Sequence, residues 1–112
     1  MTNSEIEQTR LFVERVAEHN GWKVNPDTLF VQTLLEGLTT NRSRFGYYLC
    51  PCRETAGSRD KDRDVICPCV YSAADIAEYG HCYCALFFSQ EFYISGKPYN
   101  PIPERRPEEL IP

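Results

Sequence analysis

The chain has 112 residues, 42% of them hydrophobic and 25% charged, which is enough for one globular domain with a modest core. Twelve basic against sixteen acidic residues give a formal net charge of −4, which argues against a nucleic-acid-binding protein with a basic face. No apolar run approaches the roughly 18 residues of a membrane span, and the first ten residues, MTNSEIEQTR, lack the pattern of an export signal. We therefore expect no nucleic-acid partner, no membrane partner and a cytoplasmic location.

Two helices are predicted in the N-terminal third. Ser4 and Glu7 have the spacing of a capping box, and apolar residues then recur at helical spacing until Gly21, a residue type that ends helices. Asn25 and Pro26 predict the start of the second helix, with a capping side chain followed by proline at the first helical position. The predicted apolar face of this helix consists of Leu29, Phe30, Val31, Leu34, Leu35 and Leu38.

Loops and short elements are predicted beyond the second helix. Residues 41–48 are typical of a polar and then aromatic connector, and residues 57–64 alternate in charge like a solvated loop. Ser72 and Asp75 again have capping-box spacing, which predicts a short helix that ends at Gly80.

The C-terminal quarter is apolar at first and then rich in proline. Residues 85–94 predict a short strand or a buried coil. Five prolines among residues 97–112 predict an extended tail that lies on the surface or on a partner.

Six cysteines, all between Cys50 and Cys84, are the most informative feature of the sequence. In an exported protein they would form a disulfide framework with 15 possible pairings. The expected compartment is instead the reducing cytosol, where structural disulfides are rare. Clustered cysteines there more often bind metal or carry out redox chemistry.

The cysteines form three Cys-x-Cys pairs, separated by 14 and 12 residues: Cys50-Pro51-Cys52, Cys67-Pro68-Cys69 and Cys82-Tyr83-Cys84. In an extended segment, residues i and i+2 point to the same side, so each pair can present two sulfurs together. The prolines keep the first two pairs out of helices. Zinc sites favour two to four residues between their cysteines, and this shorter spacing therefore argues against zinc.

Six thiols are two more than a common single metal centre needs. A [4Fe-4S] cluster takes four cysteines, and a structural zinc takes at most four. If the three pairs surround one cluster, two thiols remain beside it and could form a redox-active disulfide. Reduction of a disulfide needs two electrons, whereas a cluster passes one at a time, and an adjacent cluster could stabilise the half-reduced state.

The stretches GYYLCPCRE, VICPCVYSAADIAEYG and CYCALFF resemble the catalytic chain of ferredoxin:thioredoxin reductase. The order of the pairs, both central prolines, Arg53 and the Leu86-Phe87 dipeptide agree, and the resemblance covers roughly residues 29–90. It implies a small, mainly α fold whose helices and loops wrap around a [4Fe-4S] cluster.

Carried over by position, the resemblance assigns as cluster ligands Cys50, Cys67, Cys69 and Cys82. It makes Cys52 and Cys84 the active-site disulfide. Cys52 would be the exposed thiol that attacks the substrate disulfide, and Cys84 would be the partner that faces the cluster.

The last pair departs from the plant and cyanobacterial members, which have CHC at this place, and the gap before it is longer here. In those members the histidine is thought to serve proton transfer, so its replacement by Tyr83 puts that role in doubt. His81 is a candidate catalytic substitute, with a purely structural histidine as the alternative. Tyr83 could instead donate a hydrogen bond to a sulfur and tune the potential. These features resemble the archaeal and anaerobic-bacterial ferredoxin:disulfide reductases.

Three arginines near the first pair are further candidates. Arg53 follows Cys52, where a cation favours the thiolate, or it forms a surface ion pair with Glu54 or Asp60. Arg42 and Arg44 either meet an acidic ferredoxin or belong to a solvated surface.

The predicted function is an oxidoreductase that passes electrons from a ferredoxin-like donor through a [4Fe-4S] cluster to a disulfide, which then reduces a thioredoxin, a glutaredoxin-like protein or another disulfide. The alternatives are a zinc-binding interaction module and a non-catalytic Fe–S electron-transfer subunit. The chain is expected to form one domain over residues 1–112. Its predicted parts are a helical scaffold (1–40), a cluster and disulfide region (41–90) and a proline-rich tail (97–112).

Overall fold

The computed structural model describes residues 1–112 and consists mainly of helices, as predicted. Two long helices form the N-terminal part, and three short helices follow them. A two-stranded sheet pairs a strand between the two long helices with a strand near the C-terminus. The elements in chain order are α1 (Asn3–Asn20), β1 (Lys23–Val24), α2 (Thr28–Phe45), α3 (Arg59–Asp62), α4 (Ser72–Tyr79), β2 (Phe87–Phe88) and α5 (Gln90–Ser95). Two 3₁₀ turns, Arg63–Val65 and Glu108–Leu110, complete the set. No helix has both the length and the apolar character needed to cross a membrane.

Helix α1 begins two residues earlier than the sequence pattern predicts. Thr2, and not Ser4, caps it: the Thr2 hydroxyl accepts from the Glu5 N–H at 3.1 Å, and the Thr2 N–H donates to the Glu5 carboxylate at 3.0 Å. The predicted box of Ser4 and Glu7 is therefore wrong, because Thr2-x-x-Glu5 has the same pattern and occupies the helix end. The predicted end at Gly21 is confirmed, with a φ of 73°.

Helix α2 is capped by Asp27, whose carboxylate accepts from the Phe30 N–H at 3.2 Å. The predicted start at Asn25-Pro26 is therefore two residues early. Asn25 has a tertiary role instead, since its side-chain amide donates to the Ala85 carbonyl oxygen at 2.8 Å. This bond ties the beginning of α2 to the segment that carries the last cysteine pair.

The end of α2 also differs from the prediction. The helix continues to Phe45 and ends at Gly46, whose φ is 90°, so most of the predicted connector 41–48 is helical. Arg42 and Arg44 thus lie on the last turn of α2, where basic side chains interact favourably with the helix dipole.

The hydrophobic core lies between α1, α2 and the cysteine region. Its apolar members include Val13, Ala17, Val31, Leu34, Leu35, Leu38, Leu49, Val65, Ile76, Leu86 and Phe87. The predicted apolar face of α2 is confirmed except at Leu29, which is 83% exposed. Cys50, Cys82 and Cys84 belong to the same buried cluster. The two long helices therefore form the wall against which the cysteine region packs.

Residues 57–64 are not a simple solvated loop. They contain α3, and the carboxylate of Asp62 is fully buried. It accepts from the N–H groups of Ala56 at 2.7 Å and Gly57 at 2.9 Å. An acidic side chain that accepts hydrogen bonds from free backbone N–H groups stabilises the loop. One residue of the charged stretch, Asp62, therefore has a structural role.

Helix α4 has the predicted bounds and ends at Gly80, but its predicted capping box is not formed. Tyr71 precedes the helix and provides no side-chain cap. The Ser72 hydroxyl lies 3.2 Å from the Cys69 sulfur, and Asp75 pairs with Arg105 at 2.8 Å. Both side chains are therefore used in tertiary contacts.

Residues 85–94 contain the predicted short strand and also a helix. Strand β2 pairs antiparallel with β1, with Lys23 opposite Phe88 and Val24 opposite Phe87, and α5 follows at once. The proline-rich tail packs back on its own chain, where Arg106 pairs with Asp64 at 2.9 Å.

Candidate redox site

A short antiparallel contact brings the first two cysteine pairs side by side. Leu49 and Ile66 form an isolated β-bridge. The Cys50 N–H donates to the Val65 carbonyl at 2.9 Å, and the Cys67 N–H donates to the Tyr48 carbonyl at 2.7 Å. The leading cysteines of the two pairs are therefore held on neighbouring segments, although 14 residues separate the pairs in sequence.

The third pair is placed by a tight turn next to the small sheet. The Cys82 N–H donates to the Phe87 carbonyl at 3.0 Å, and the Ala85 N–H donates to the Cys82 carbonyl at 2.8 Å. Ala85 has a φ of 59°, which is costly for a residue with a side chain. The bond from Asn25 to the Ala85 carbonyl holds this turn in place.

A cavity of about 350 Å³ of space not filled by atoms, partly open to solvent, lies between the three pairs. Its walls include all four cysteines that the family resemblance assigns as ligands, Cys50, Cys67, Cys69 and Cys82, and also Cys84. Leu34 and Leu38 of α2 line the inner side. Thiolate sulfurs are the usual ligands of iron–sulfur clusters, so this set of donors around one cavity fits such a group. No three His, Cys, Asp or Glu side chains are arranged to hold a single metal ion.

Of the two remaining cysteines, Cys84 also lines this cavity and Cys52 does not. Cys52 is exposed, whereas Cys84 is buried, with its sulfur 2.8 Å from that of Cys50. Cys52 and Cys84 also line a shallow surface pocket, whose other walls include Phe30, His81, Tyr83, Tyr99, Asn100, Pro101 and Ile102. Cys84 therefore lies between the cavity and the surface.

The sulfurs of Cys50, Cys52 and Cys84 influence one another strongly. The neighbouring thiols of Cys50 and Cys84 lower the pKa of Cys52 to about 4, and the neighbouring Cys52 raises the pKa of Cys50 to about 11. The hydrogen bond with Cys50 and the neighbouring Cys52 raise the pKa of Cys84. Burial raises the pKa of Cys82 to about 12, and it also raises that of Cys67. Of these five thiols, Cys52 ionises first, and the thiolate is the nucleophilic form.

Arg53 is buried beside the second pair and does not form the predicted surface ion pair with Glu54 or Asp60. Its Nη1 donates to the Cys69 sulfur at 2.9 Å. Its Nε and Nη2 donate to the carboxylate of Glu104 at 2.8 to 3.2 Å. Burial by itself would lower the pKa of Arg53, but the bonds to Glu104 and the nearby sulfurs of Cys69 and Cys50 together raise that pKa, so the guanidinium stays charged.

His81 and Tyr83 flank Cys82 and have different contacts. His81 is buried, and its Nδ1 lies 2.7 Å from the Cys82 carbonyl oxygen. Since a carbonyl can only accept, Nδ1 carries the proton and Nε2 is the unprotonated nitrogen in the neutral ring. Tyr83 forms no hydrogen bond with a sulfur, contrary to the suggestion from the sequence. Its ring instead packs on Arg53, with 4.4 Å from the guanidinium carbon to the ring centroid.

Arg42 and Arg44 are exposed and form no ion pair. Arg42 donates to the Tyr48 hydroxyl at 3.1 Å and lies over its ring. Arg44 lies over the Phe45 ring. Both charges therefore remain accessible to solvent.

Gly37, which the sequence analysis did not single out, sets how closely α2 approaches the first cysteine pair. A Cβ atom at this position would lie 2.8 Å from the Cβ of Pro51. The available signal was a glycine inside an otherwise helical pattern, which indicates a packing reason when the helix continues through it.

We expect Gly37→Ala to lower the free energy of unfolding by about 1–3 kcal/mol, because the new methyl group must displace the rigid Pro51 ring. The displacement also moves the cysteines on either side of Pro51. Urea denaturation checks the stability, with Glu36→Ala as a control at an exposed neighbouring position. An alanine variant as stable as the wild type would contradict the close packing.

Comparisons with known proteins cover most of the chain. The sequence profile of the ferredoxin thioredoxin reductase catalytic beta chain family matches residues 1–103. The chain is 30% identical over 91 residues to the ferredoxin-thioredoxin reductase catalytic chain of Porphyra purpurea, covering 77% of this chain and 71% of that protein. It is 31% identical over 90 residues to that of Guillardia theta, covering 76% and 81%. It is 30% identical over 97 residues to the chloroplastic chain of Arabidopsis thaliana, covering 82% and 62%.

The chain belongs to the ferredoxin thioredoxin reductase catalytic beta chain family. It is therefore an oxidoreductase that acts on disulfides. All six cysteines lie within the part that matches this family of reductases, as do Arg53, His81 and Tyr83. The match ends at residue 103, so Glu104, which pairs with Arg53, lies just beyond it.

Proposed function

We propose that this reductase takes electrons one at a time from a ferredoxin-like donor and delivers them to a Cys52–Cys84 disulfide held beside a [4Fe-4S] cluster. The cluster, when bound, supplies one-electron transfer. The observation that carries the proposal is the placement of the six cysteines. Four proposed ligands line one cavity, and the two others share a surface pocket in which Cys52 is the exposed thiol.

The proposed ligands are Cys50, Cys67, Cys69 and Cys82, which take part as thiolates. All four line one cavity. A cluster takes its cysteines at separate iron atoms, whereas a zinc ion requires all four sulfurs on one tetrahedron. The single residue between the two cysteines of each pair is shorter than zinc sites favour, so we prefer the cluster to the zinc alternative.

The reaction at the surface is an exchange of thiols and disulfides. The Cys52 thiolate attacks one sulfur of the substrate disulfide, which releases the other substrate sulfur as a thiolate and forms a mixed disulfide. The Cys84 thiolate then attacks Cys52, so that the substrate leaves with both sulfurs reduced. Two electrons and two protons have passed to the substrate, and the Cys52–Cys84 disulfide is formed. Two electrons from the donor and two protons restore the thiols.

His81 is the proposed group that moves protons in this cycle. It lines the surface pocket together with Cys52 and Cys84. Its Nδ1 is held by the Cys82 carbonyl, which leaves Nε2 to accept or give a proton. The proposed substrates are thioredoxin-like or glutaredoxin-like proteins. Because the ligand cysteines must stay reduced, we also propose a reducing, cytoplasmic location.

The test is the iron, sulfide and zinc content of protein purified anaerobically from a host that assembles clusters. We expect about four irons and four sulfides per chain, the count for one cubane cluster, with the matching visible absorption. Stoichiometric zinc and no colour would overturn the proposal and favour the zinc module. A cluster without redox-dependent labelling of Cys52 and Cys84 would favour the electron-transfer subunit.

A further inference from the structure

Three consecutive charged residues attach the C-terminal tail to the rest of the protein beside the redox site. Glu104 pairs with Arg53, Arg105 pairs with Asp75, and Arg106 pairs with Asp64. All three residues follow the end of the family match at residue 103. Through Glu104, the tail therefore adds a contact to the site from a segment outside the matched part.

The Arg53 guanidinium is held on several sides. Its side chain is only 1% exposed, and the rings of Tyr71 and Tyr83 lie 5.1 Å and 4.4 Å from its central carbon. One end donates to the sulfur of Cys69, and the other end donates to both carboxylate oxygens of Glu104. Arg53 thus connects a proposed cluster ligand to the tail.

Glu104 is itself fixed by the tail. Its side chain is 27% exposed, and its Oε1 also accepts from the Arg106 N–H at 2.9 Å. Arg106 is anchored by Asp64 and by the Glu54 carbonyl, each at 2.9 Å from one of its nitrogens. The carboxylate therefore reaches Arg53 from a firmly attached backbone.

We propose that Glu104 is a positioning residue that holds Arg53 against the Cys69 sulfur and so raises the reduction potential of the site. Hydrogen bonds to ligand sulfurs tune the potential of a cluster, and a cationic donor stabilises the reduced, more negative state. This inference rests on the proposed function, because it requires that Cys69 is a cluster ligand.

The direction in which a Glu104 substitution shifts the reduction potential distinguishes a positioning role from a purely electrostatic effect of its charge. Glu104 is negative, so removal of its charge alone makes the site easier to reduce and raises the potential. Loss of its hold on Arg53 weakens the donor to the Cys69 sulfur and lowers the potential. The two explanations therefore predict opposite shifts for the same substitution.

The experiment is a redox titration of the cluster in anaerobically purified full-length variants. We expect the potential of Glu104→Ala to be more negative than that of the wild type. Glu104→Asp keeps the charge but shortens the reach, and we expect a smaller shift in the same direction. Glu109→Ala removes an exposed tail carboxylate that forms no ion pair, and we expect no negative shift.

A double variant tests whether Glu104 acts through Arg53. In an Arg53→Gln background, Glu104→Ala should no longer lower the potential. A positive shift in Glu104→Ala together with an unchanged Glu104→Asp would overturn the inference and leave the proposed function intact. If Glu104→Ala does not assemble a cluster, the charge-conserving Glu104→Asp is the test, and a potential equal to that of the wild type would overturn the inference. A wild-type protein without a cluster would overturn the proposed function, and this inference with it.

Discussion

Cys52→Ser should reduce disulfide reductase activity to the background rate and leave iron and sulfide at the wild-type amounts. Cys52 is the exposed cysteine, and it lies on the surface pocket but not on the inner cavity. A serine hydroxyl at this place cannot open a disulfide by thiol exchange. Activity is measured with a chemically or enzymatically reduced ferredoxin and a thioredoxin-like substrate, and the metal content is measured on the same preparation.

Loss of the cluster in Cys52→Ser would mean that Cys52 is a ligand and that the assignment of the pairs is wrong. Retained activity would mean that another thiol attacks the substrate. Cys84→Ser is a useful companion, because the first exchange can still occur in it. That variant should accumulate a stable mixed disulfide with the substrate through Cys52, which mass spectrometry detects.

Cys67→Ser, unlike Cys52→Ser, should lose most of its iron and sulfide. Cys67 lines the inner cavity, and its backbone is held by the bond to the Tyr48 carbonyl. An alcohol is a much poorer ligand for iron than a thiolate, so three remaining cysteines hold the cluster weakly. Because metal binding is coupled to folding in small domains with modest cores, this variant should also unfold at a lower temperature.

Cys52→Ser is the matched control for this second experiment, since it makes the same chemical change in the same region of the chain. Both variants are compared by iron content, visible absorption and thermal unfolding. An intact cluster in Cys67→Ser would show that the ligand set is wrong.

Local features were more predictable from the sequence than contacts between distant segments. The ends of α1 and α4 at Gly21 and Gly80 were predicted, because glycine accepts a positive φ at little cost. The predicted starts of α1 and α2 were each two residues from the observed ones. Thr2 and Ser4 each begin a capping-box pattern, and the sequence alone does not decide between two overlapping candidates.

The six cysteines were found because their spacing is a strong local signal, and the structure brings five of them to one cavity. Their individual roles stay predictions. The pairing of Arg53 with Glu104 was missed, because the two residues are 51 positions apart in sequence. Nothing in the sequence distinguishes Glu104 from the other glutamates of the proline-rich tail. The role of Tyr83 as a stacking partner was missed for the same reason, since it depends on where Arg53 points.

The segment from Tyr99 to Ile102 forms one wall of the pocket that contains Cys52, and prolines stand at positions 98, 101 and 103. Each proline ring fixes one backbone torsion before any substrate arrives. Such a wall has little conformational entropy left to lose when a partner docks, so the ordering of the wall adds little to the entropic penalty of association. Selectivity at this surface pocket should therefore depend on how well a partner's surface matches its preformed shape, because the pocket wall itself adjusts little.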